Sequence, residues 1–181
     1  MLMGKTLNIP TVSLRYQNVY GPGQSLSNPY TGIISIFSTR LLNGNNLDIY
    51  EDGLESRDFV FIDDAVDATI LCMQSANADG EIFNIGTGKN ITVIEVAESL
   101  IRLLDSQGKT STVGKYRLGD VRHNYADITK IHKILGYSPK YSFQDGLAEF
   151  VKWVQNQKIV EDNYEESIKE LKDKGLIRWE V

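Results

Sequence analysis

One cysteine, four prolines and two histidines in 181 residues remove several classes of protein at once. The lone Cys72 closes no internal disulfide, and its apolar helical surroundings fit a small hydrophobe in a reducing compartment, for which the cytoplasm is the default. His123 and His132 beside that single thiol do not make a metal site, and no acidic cluster has ligand spacing, so no metal is expected. Lys and Arg number 19 against 24 Asp and Glu, a net charge of −5 that provides no basic field for nucleic acid. No apolar run approaches the roughly 20 residues needed to span a bilayer. Met1-Leu2-Met3-Gly4-Lys5 also lacks the basic start, apolar centre and cleavage site of a signal peptide, so no membrane association is expected. Scarce proline and the lack of low-complexity tracts exclude a linker-rich or disordered chain.

What is present is a chain with 41% hydrophobic residues, enough to bury the core of one domain or slightly more. Residues Met1 to Leu7 have helical composition without a start signal, and Asn8-Ile9-Pro10 breaks into the β-rich Thr11 to Tyr16. An opening in mid-helix that runs into a buried strand leads us to expect a truncated domain. Thr31 to Leu42 carries Ile33, Ile34, Phe37 and Leu41 at helical spacing, closed by Asn43-Gly44-Asn45-Asn46. Leu47 to Tyr50 and Arg57 to Ile62 read as strands around the turn Glu51-Asp52-Gly53, so a small hairpin is expected. Asp63 or Asp64 is placed to cap a helix with the small-residue stripe Ala65, Ala68, Cys72 and Ala76. Glu81 to Ile85 reads as a strand, and Thr92-Val93-Ile94-Glu95 as a capping box. Beyond an extended Lys115 to Ala126, Asp127 is read as the cap of a helix with Ile128, Ile131 and Leu135. Phe143, Leu147, Phe150, Val151 and Val154 then share one face of an amphipathic helix, and Gly175 is read as the C-cap of a charged tail helix. Strand and helix alternate, as in α/β folds.

Three segments carry a resemblance: Leu14-Arg15-Tyr16-Gln17-Asn18-Val19-Tyr20-Gly21-Pro22-Gly23-Gln24, Gly53-Leu54-Glu55-Ser56-Arg57-Asp58-Phe59-Val60, and Arg117-Leu118-Gly119-Asp120-Val121-Arg122-His123. Together they resemble the substrate half of NAD-dependent sugar-nucleotide epimerases and dehydratases, the extended short-chain dehydrogenases/reductases. The resemblance runs from about Leu7 to Gln157. It implies an α/β fold, the C-terminal portion of an extended Rossmann-type architecture, made of late sheet strands and a small mixed α/β substrate-binding region. Residues 1–157 would be that region and 158–181 a helical tail. In complete members NAD takes a hydride from a sugar carbon and returns it, while the protein orients the sugar. The partners implied are a sugar nucleotide, a Rossmann half on the N-terminal side and, in the full-length form, a second copy in a homodimer.

Within this frame each residue has a plain and a functional reading. A guanidinium fork binds phosphate oxygens bidentately, and positions matching Arg57 and Arg117 hold the diphosphate in the family, with Asp120 on the ribose. The plain alternative pairs Arg57 with an acid such as Asp63 and leaves Arg117 solvated. Asn18, just past the first strand, is implied to hold the sugar nucleotide, and Tyr16 to lie beside the cofactor; a turn-forming Asn is the competing account. Gln17 stands where many relatives have an aromatic residue. Ile33, Leu47, Ile49 and Tyr50 match elements that enclose the nucleotide base, against ordinary core packing.

Gly86-Thr87-Gly88 follows a strand, but Ile91 occupies the third glycine's place, so a dinucleotide fingerprint is rejected. None of the nine tyrosines is followed four residues later by lysine, and the family's proton-transfer pair is therefore missing from this sequence. No catalytic residue is assigned, and NAD binding by this chain alone is not expected. The resulting expectation is the UDP- or dTDP-hexose-binding part of a 4-epimerase, inactive in isolation. The alternatives are part of a dehydratase, or a non-catalytic sugar-nucleotide binder or truncation product.

Overall fold

The computed structural model describes residues 1–28, 32–158 and 161–179. After a short helix α1 (Leu2–Leu7), strands β1 (Ser13–Tyr16) and β2 (Asn18–Tyr20) follow each other almost without a break. The expected long helix begins at Ile33 as α2 (Ile33–Leu42); Thr31, where we placed its start, lies outside the described residues.

Apolar alternation on one later strand organises the interior. Strand β5 (Phe59–Phe61) pairs in parallel with β2, and its successive side chains point to opposite faces. Phe59 and Phe61 enter a large core with Tyr20, Phe37, Leu47, Ile49, Leu100, Leu147 and Phe150, whereas Val60 joins a second core with Ala65, Ala68, Cys72, Phe83, Ile85 and Ile131. Parallel neighbours require a crossover: α2 lies on the path from β2 to β5, and α3 (Ile62–Gln74) then leads from β5 to β6 (Ile82–Ile85), which pairs in parallel with β1. Ala65, Ala68 and Cys72 are the buried stripe of α3, small enough for the helix to lie close to the sheet. Neither Asp63 nor Asp64 caps it: the helix starts at Ile62, with Phe61 at the N-cap, and both acids lie in its first turn, where they complement the helix dipole. Asp64 is buried and accepts the backbone N–H groups of Lys140 (2.8 Å) and Tyr141 (3.1 Å), which fixes the approach to the last core helix.

The expected hairpin is not formed. β3 (Leu47–Ile49) runs parallel to β8 (Thr110–Thr112), while β4 (Ser56–Arg57) lies between β7 (Ile91–Thr92), antiparallel, and β10 (His123–Asn124), parallel. The turn itself diverts the chain. Gly53 has φ +78°, the Asp52 carboxylate accepts the Leu54 N–H at 3.0 Å, and the carbonyls of Gly53 and Glu55 accept from Ile94 and Val93. The backbone groups that a hairpin would pair are thus bound to the start of α4 (Val93–Leu103). Its capping box, Thr92 with Glu95, is present in both directions.

Strand β9 (Lys115–Arg117) precedes β10, and α5 (Thr129–Leu135) follows it. Asp127 accepts the Thr129 N–H at 2.8 Å, but the N-cap position belongs to Ile128, one residue beyond our reading. Helix α6 (Phe143–Gln155) buries Leu147, Phe150, Val151 and Val154, with the Ser142 hydroxyl accepting from Asp145 N–H as its cap. The tail is more than helical. After α7 (Tyr164–Asp173), Gly175 turns the chain at φ +68° into β11 (Ile177–Trp179), which pairs antiparallel with β9 and buries Ile177. Among the described residues no helix is long and apolar enough to cross a membrane.

Candidate functional site

A cavity of about 350 Å³ opens where β2, α2, β3, the turn after it, β4, β9 and the tail converge. Six of the residues singled out in the sequence line it: Asn18, Ile33, Tyr50, Arg57, Arg117 and Asp120. They come from five separate stretches of chain, so their meeting is a property of the fold. Leu47 and Ile49 are not among them. Both are fully buried in the large core, because alternation along β3 turns them inward and leaves Asp48 and Tyr50 on the cavity side. Ile33 serves both readings, since it lines the cavity and packs against the core.

The segment Ser56-Arg57-Asp58-Phe59-Val60 shows how one short run positions this site. Ser56 is fully buried and its hydroxyl meets His123 Nδ1 at 2.9 Å. On the opposite face Arg57 reaches the cavity, donating to the carbonyls of Ser56 (2.9 Å) and Arg122 (3.1 Å) and to Asp120 Oδ1 (2.6 Å). Its carboxylate partner is therefore Asp120, not Asp63. Asp58 is fully buried and accepts from Thr87 N–H, Thr87 Oγ1–H, Gly88 N–H and Ala126 N–H. Arg117, by contrast, has no carboxylate partner among the described residues and is exposed at the cavity. A bound guanidinium and a free one thus face the same space.

Sequence reasoning missed three of the cavity's four acids. Asp48, Glu51 and Glu55 line it together with Asp120, and Glu55 is only 7% exposed. Burial, the adjacent Glu51 carboxyl and the negative charge of Asp52 push the Glu55 carboxyl up to about 7. Both of its oxygens are buried without a hydrogen-bond donor. The signal was available: Glu55 stands two residues before Arg57 on an extended segment, so the two side chains share a face. Tyr164 from the tail also lines the cavity, with the Arg40 guanidinium 4.0 Å from its ring centre. That wall could not be read from a tail treated as a free helix.

A second, more polar cavity of about 380 Å³ adjoins the first at Asn18 and is lined by Tyr16, Gln17, Gln24 and Asn124. Tyr16 is half exposed and its hydroxyl is 2.7 Å from that of Thr69, while Gln17 Oε1 is buried without a donor. This edge fits one end of a polar planar group. A dinucleotide also needs a cradle for its phosphates, and the candidate turn does not provide one. The N–H groups of Thr87 and Gly88, which could bind an anion, are already held by the Asp58 carboxylate, and a Cβ at Gly86 would meet Asp58 Oδ2 at 2.5 Å. The described residues therefore do not fit a complete NAD site. Among them there is also no cluster of metal-ligating side chains.

Residues 3–86 match the NAD dependent epimerase/dehydratase family. The chain belongs to that family. It is 36% identical over 148 residues to a dTDP-L-rhamnose 4-epimerase of Burkholderia thailandensis, covering 82% of this chain and 40% of the relative. The crystal structure of a UDP-glucose 4-epimerase with UDP-glucose from Thermotoga maritima superposes with a TM-score of 0.75 at 35% identity, over 85% of this chain and 48% of that one. A Thermus thermophilus UDP-glucose 4-epimerase in complex with NAD gives a TM-score of 0.75 at 28% identity, over 87% and 50%. Other relatives at about one-third identity are named as dehydratases and a decarboxylase of sugar nucleotides. The chain spans about half the length of the relatives it matches. The family's fold is Rossmann-like, and its members use NAD.

Proposed function

We propose that this chain is the sugar-nucleotide-binding part of an NAD-dependent 4-epimerase, taking a UDP- or dTDP-hexose and inactive without a Rossmann half. Arg117 carries this reading: a guanidinium without a carboxylate partner among the described residues, beside Arg57, in a cavity that also offers Asn18 and the apolar and aromatic surfaces of Ile33 and Tyr50. Two guanidiniums suit two linked phosphates, Asp120 can accept ribose hydroxyls once Arg57 turns to the ligand, and Ile33 and Tyr50 can cover a base. Asn18 joins this cavity to the one containing Tyr16, so a sugar held by Asn18 would extend toward the nicotinamide. Val66, Ile70 and Met73 leave an apolar line exposed on α3, which supports a further piece of protein over that face. A homodimer of the joined form is part of the same proposal. The dehydratase reading shares the binding site and differs only in later chemistry.

The test is binding followed by reconstitution. Titration of the chain with UDP-glucose and dTDP-glucose should show binding to at least one, and Arg57→Ala and Arg117→Ala should each weaken it by roughly 1.5–3 kcal/mol, the scale of hydrogen bonds to charged groups. Unchanged affinity in both variants removes the phosphate assignment. Joining the chain to a family Rossmann half should then restore NAD-dependent epimerisation; a folded, NAD-loaded and inactive chimera overturns the epimerase reading, and accumulation of a 4-keto-6-deoxy sugar would favour the dehydratase.

A further inference from the structure

Two glutamates on the floor of the main cavity face each other without a donor between them. Glu51 and Glu55 lie within hydrogen-bonding reach, yet ionised carboxylates only accept, and both Glu55 oxygens are buried and unpartnered. The contact is satisfied only if one proton lies between them. Arg122 decides where it resides: its guanidinium holds Glu51 Oε2 at 2.8 Å and Asp52 Oδ2 at 2.6 Å, so negative charge is favoured on Glu51 and the proton on Glu55. Glu51 itself lies in the left-handed region at φ +44°, an uncommon conformation for a non-glycine residue.

The surrounding charges make that proton consequential. Four carboxylates line the cavity, Asp48, Glu51, Glu55 and Asp120, against the two guanidiniums of Arg57 and Arg117. Lys115 of β9 is 3.4 Å from Asp48, Arg57 is engaged by Asp120, and His123 lies across β4, on Ser56. Tyr50 and Tyr164 complete the ionisable groups of the lining. Asp48, Glu51 and Asp120 each have a cation, whereas Glu55 has none among the described residues, so an ionised Glu55 would leave an uncompensated negative charge beside a bound dianion.

We infer that Glu55 is a specificity-determining residue of this anion site: by holding a proton shared with Glu51, it keeps one negative charge out of the cavity and admits a diphosphate beside Arg57 and Arg117. Its loss places a second carboxylate on the same face of the extended chain as Arg57, where it competes for that guanidinium. The site then favours ligands of lower charge. This inference deepens the proposed function and rests on a diphosphate binding in this cavity.

UDP-glucose is the suitable probe, because each of its phosphates has a single acidic oxygen that is already ionised above pH 5, so any change in affinity from pH 5.5 to 8.5 belongs to the protein. Affinity of the wild-type chain should fall about threefold to tenfold across that range, the scale of one charge felt at the protein surface. Glu55→Gln, whose amide can donate to Glu51 as the protonated acid does, should remove the dependence and retain the tighter value at high pH. A wild-type affinity independent of pH, or a dependence kept in Glu55→Gln, overturns the inference while leaving the binding site standing. If UDP-glucose does not bind at all, the proposed function fails, and the 13C-carboxyl NMR titration of Glu55 still decides the shared proton: a midpoint near neutrality that moves down in Glu51→Gln supports it, and an ordinary glutamate midpoint excludes it.

Discussion

Asp58 and Glu55 are buried carboxylates three residues apart on one stretch of chain, and their surroundings are opposite. Asp58 is saturated: two backbone N–H groups of the Gly86 turn, the Thr87 hydroxyl and the Ala126 N–H all point at it. Glu55 has none of this, only another carboxyl and a cavity. A buried carboxylate that is fully hydrogen-bonded holds a fold together, whereas one left unsatisfied is tolerated only by neutralising itself or by serving a ligand. Asp58 ties β5 to the turn after β6 and so fixes the strand that divides the two cores. Glu55 stands just before β4, where the same chain leaves the core and becomes the wall of a site. The difference separates framework from function within four residues of sequence.

Asp58→Ala is the sharpest way to break the comparison. It strips the acceptor from the backbone N–H groups of Thr87, Gly88 and Ala126 at once and removes a fully buried carboxylate, and we expect a loss of about 3–5 kcal/mol of stability, the scale for breaking a buried charged network. Urea unfolding monitored by circular dichroism checks this. A loss below about 1 kcal/mol, the scale of an ordinary single hydrogen bond, would show that the turn re-forms without its anchor and that Asp58 is not the framework residue described.

Glu55→Gln should have the opposite sign. The folded state holds the Glu55 proton more tightly than the unfolded chain does, since its carboxyl is pushed up to about 7 from the ordinary glutamate range. Between those two values the native state binds more protons than the unfolded state. Stability therefore falls as pH rises through this window, and the cost is fully present above pH 7. Glutamine carries no such cost, so the variant should be more stable than the parent by about 1–2 kcal/mol at pH 8, after allowance for partial solvent screening, with the gain shrinking toward pH 4.5. Paired urea curves at both values measure it. A variant less stable than the parent at pH 8 would mean that Glu55 has a cation or donor we have not identified.

The same contrast explains what was legible in the sequence. Apolar alternation and helical spacing marked β5, α4 and α6, because those elements are specified by which residues must leave water, and Thr92 with Glu95 marked a helix start by local bonding alone. Arg57, Arg117, Asp120, Asn18, Ile33 and Tyr50 were singled out through motifs, and the fold brings all six to one cavity. Pairing between distant strands was not legible. The expected hairpin failed because the Gly53 turn bonds to the start of α4, a partner some forty residues away in sequence. Leu47 and Ile49 were placed near a ligand and lie in the core, since a three-residue strand does not reveal which face is inward. Glu55 was passed over because a glutamate in a polar run reads as solvated until burial is known. β11 and the Tyr164 wall were hidden for a similar reason: a charged tail has no reason of its own to close over a cavity.

Arg122→Gln tests the smallest effect and isolates the electrostatic half of the comparison. Arg122 is half exposed and bridges Glu51 and Asp52, and those contacts raise its own hold on a proton while lowering that of Asp52. As a surface pair it should add little to global stability. Its removal should still be felt at Glu55, because Glu51 loses the cation that stabilises its charge and the pair then holds the shared proton more tightly. We expect the Glu55 titration midpoint to move upward, with the pH at which UDP-glucose affinity weakens moving in the same direction. The amide signals of Thr87 and Gly88, which report the Asp58 network, should stay where they are. A downward shift at Glu55 would mean that Arg122 stabilises the protonated pair instead, reversing the assignment of charge to Glu51, and movement at Thr87 and Gly88 would show that the two carboxylates are not independent.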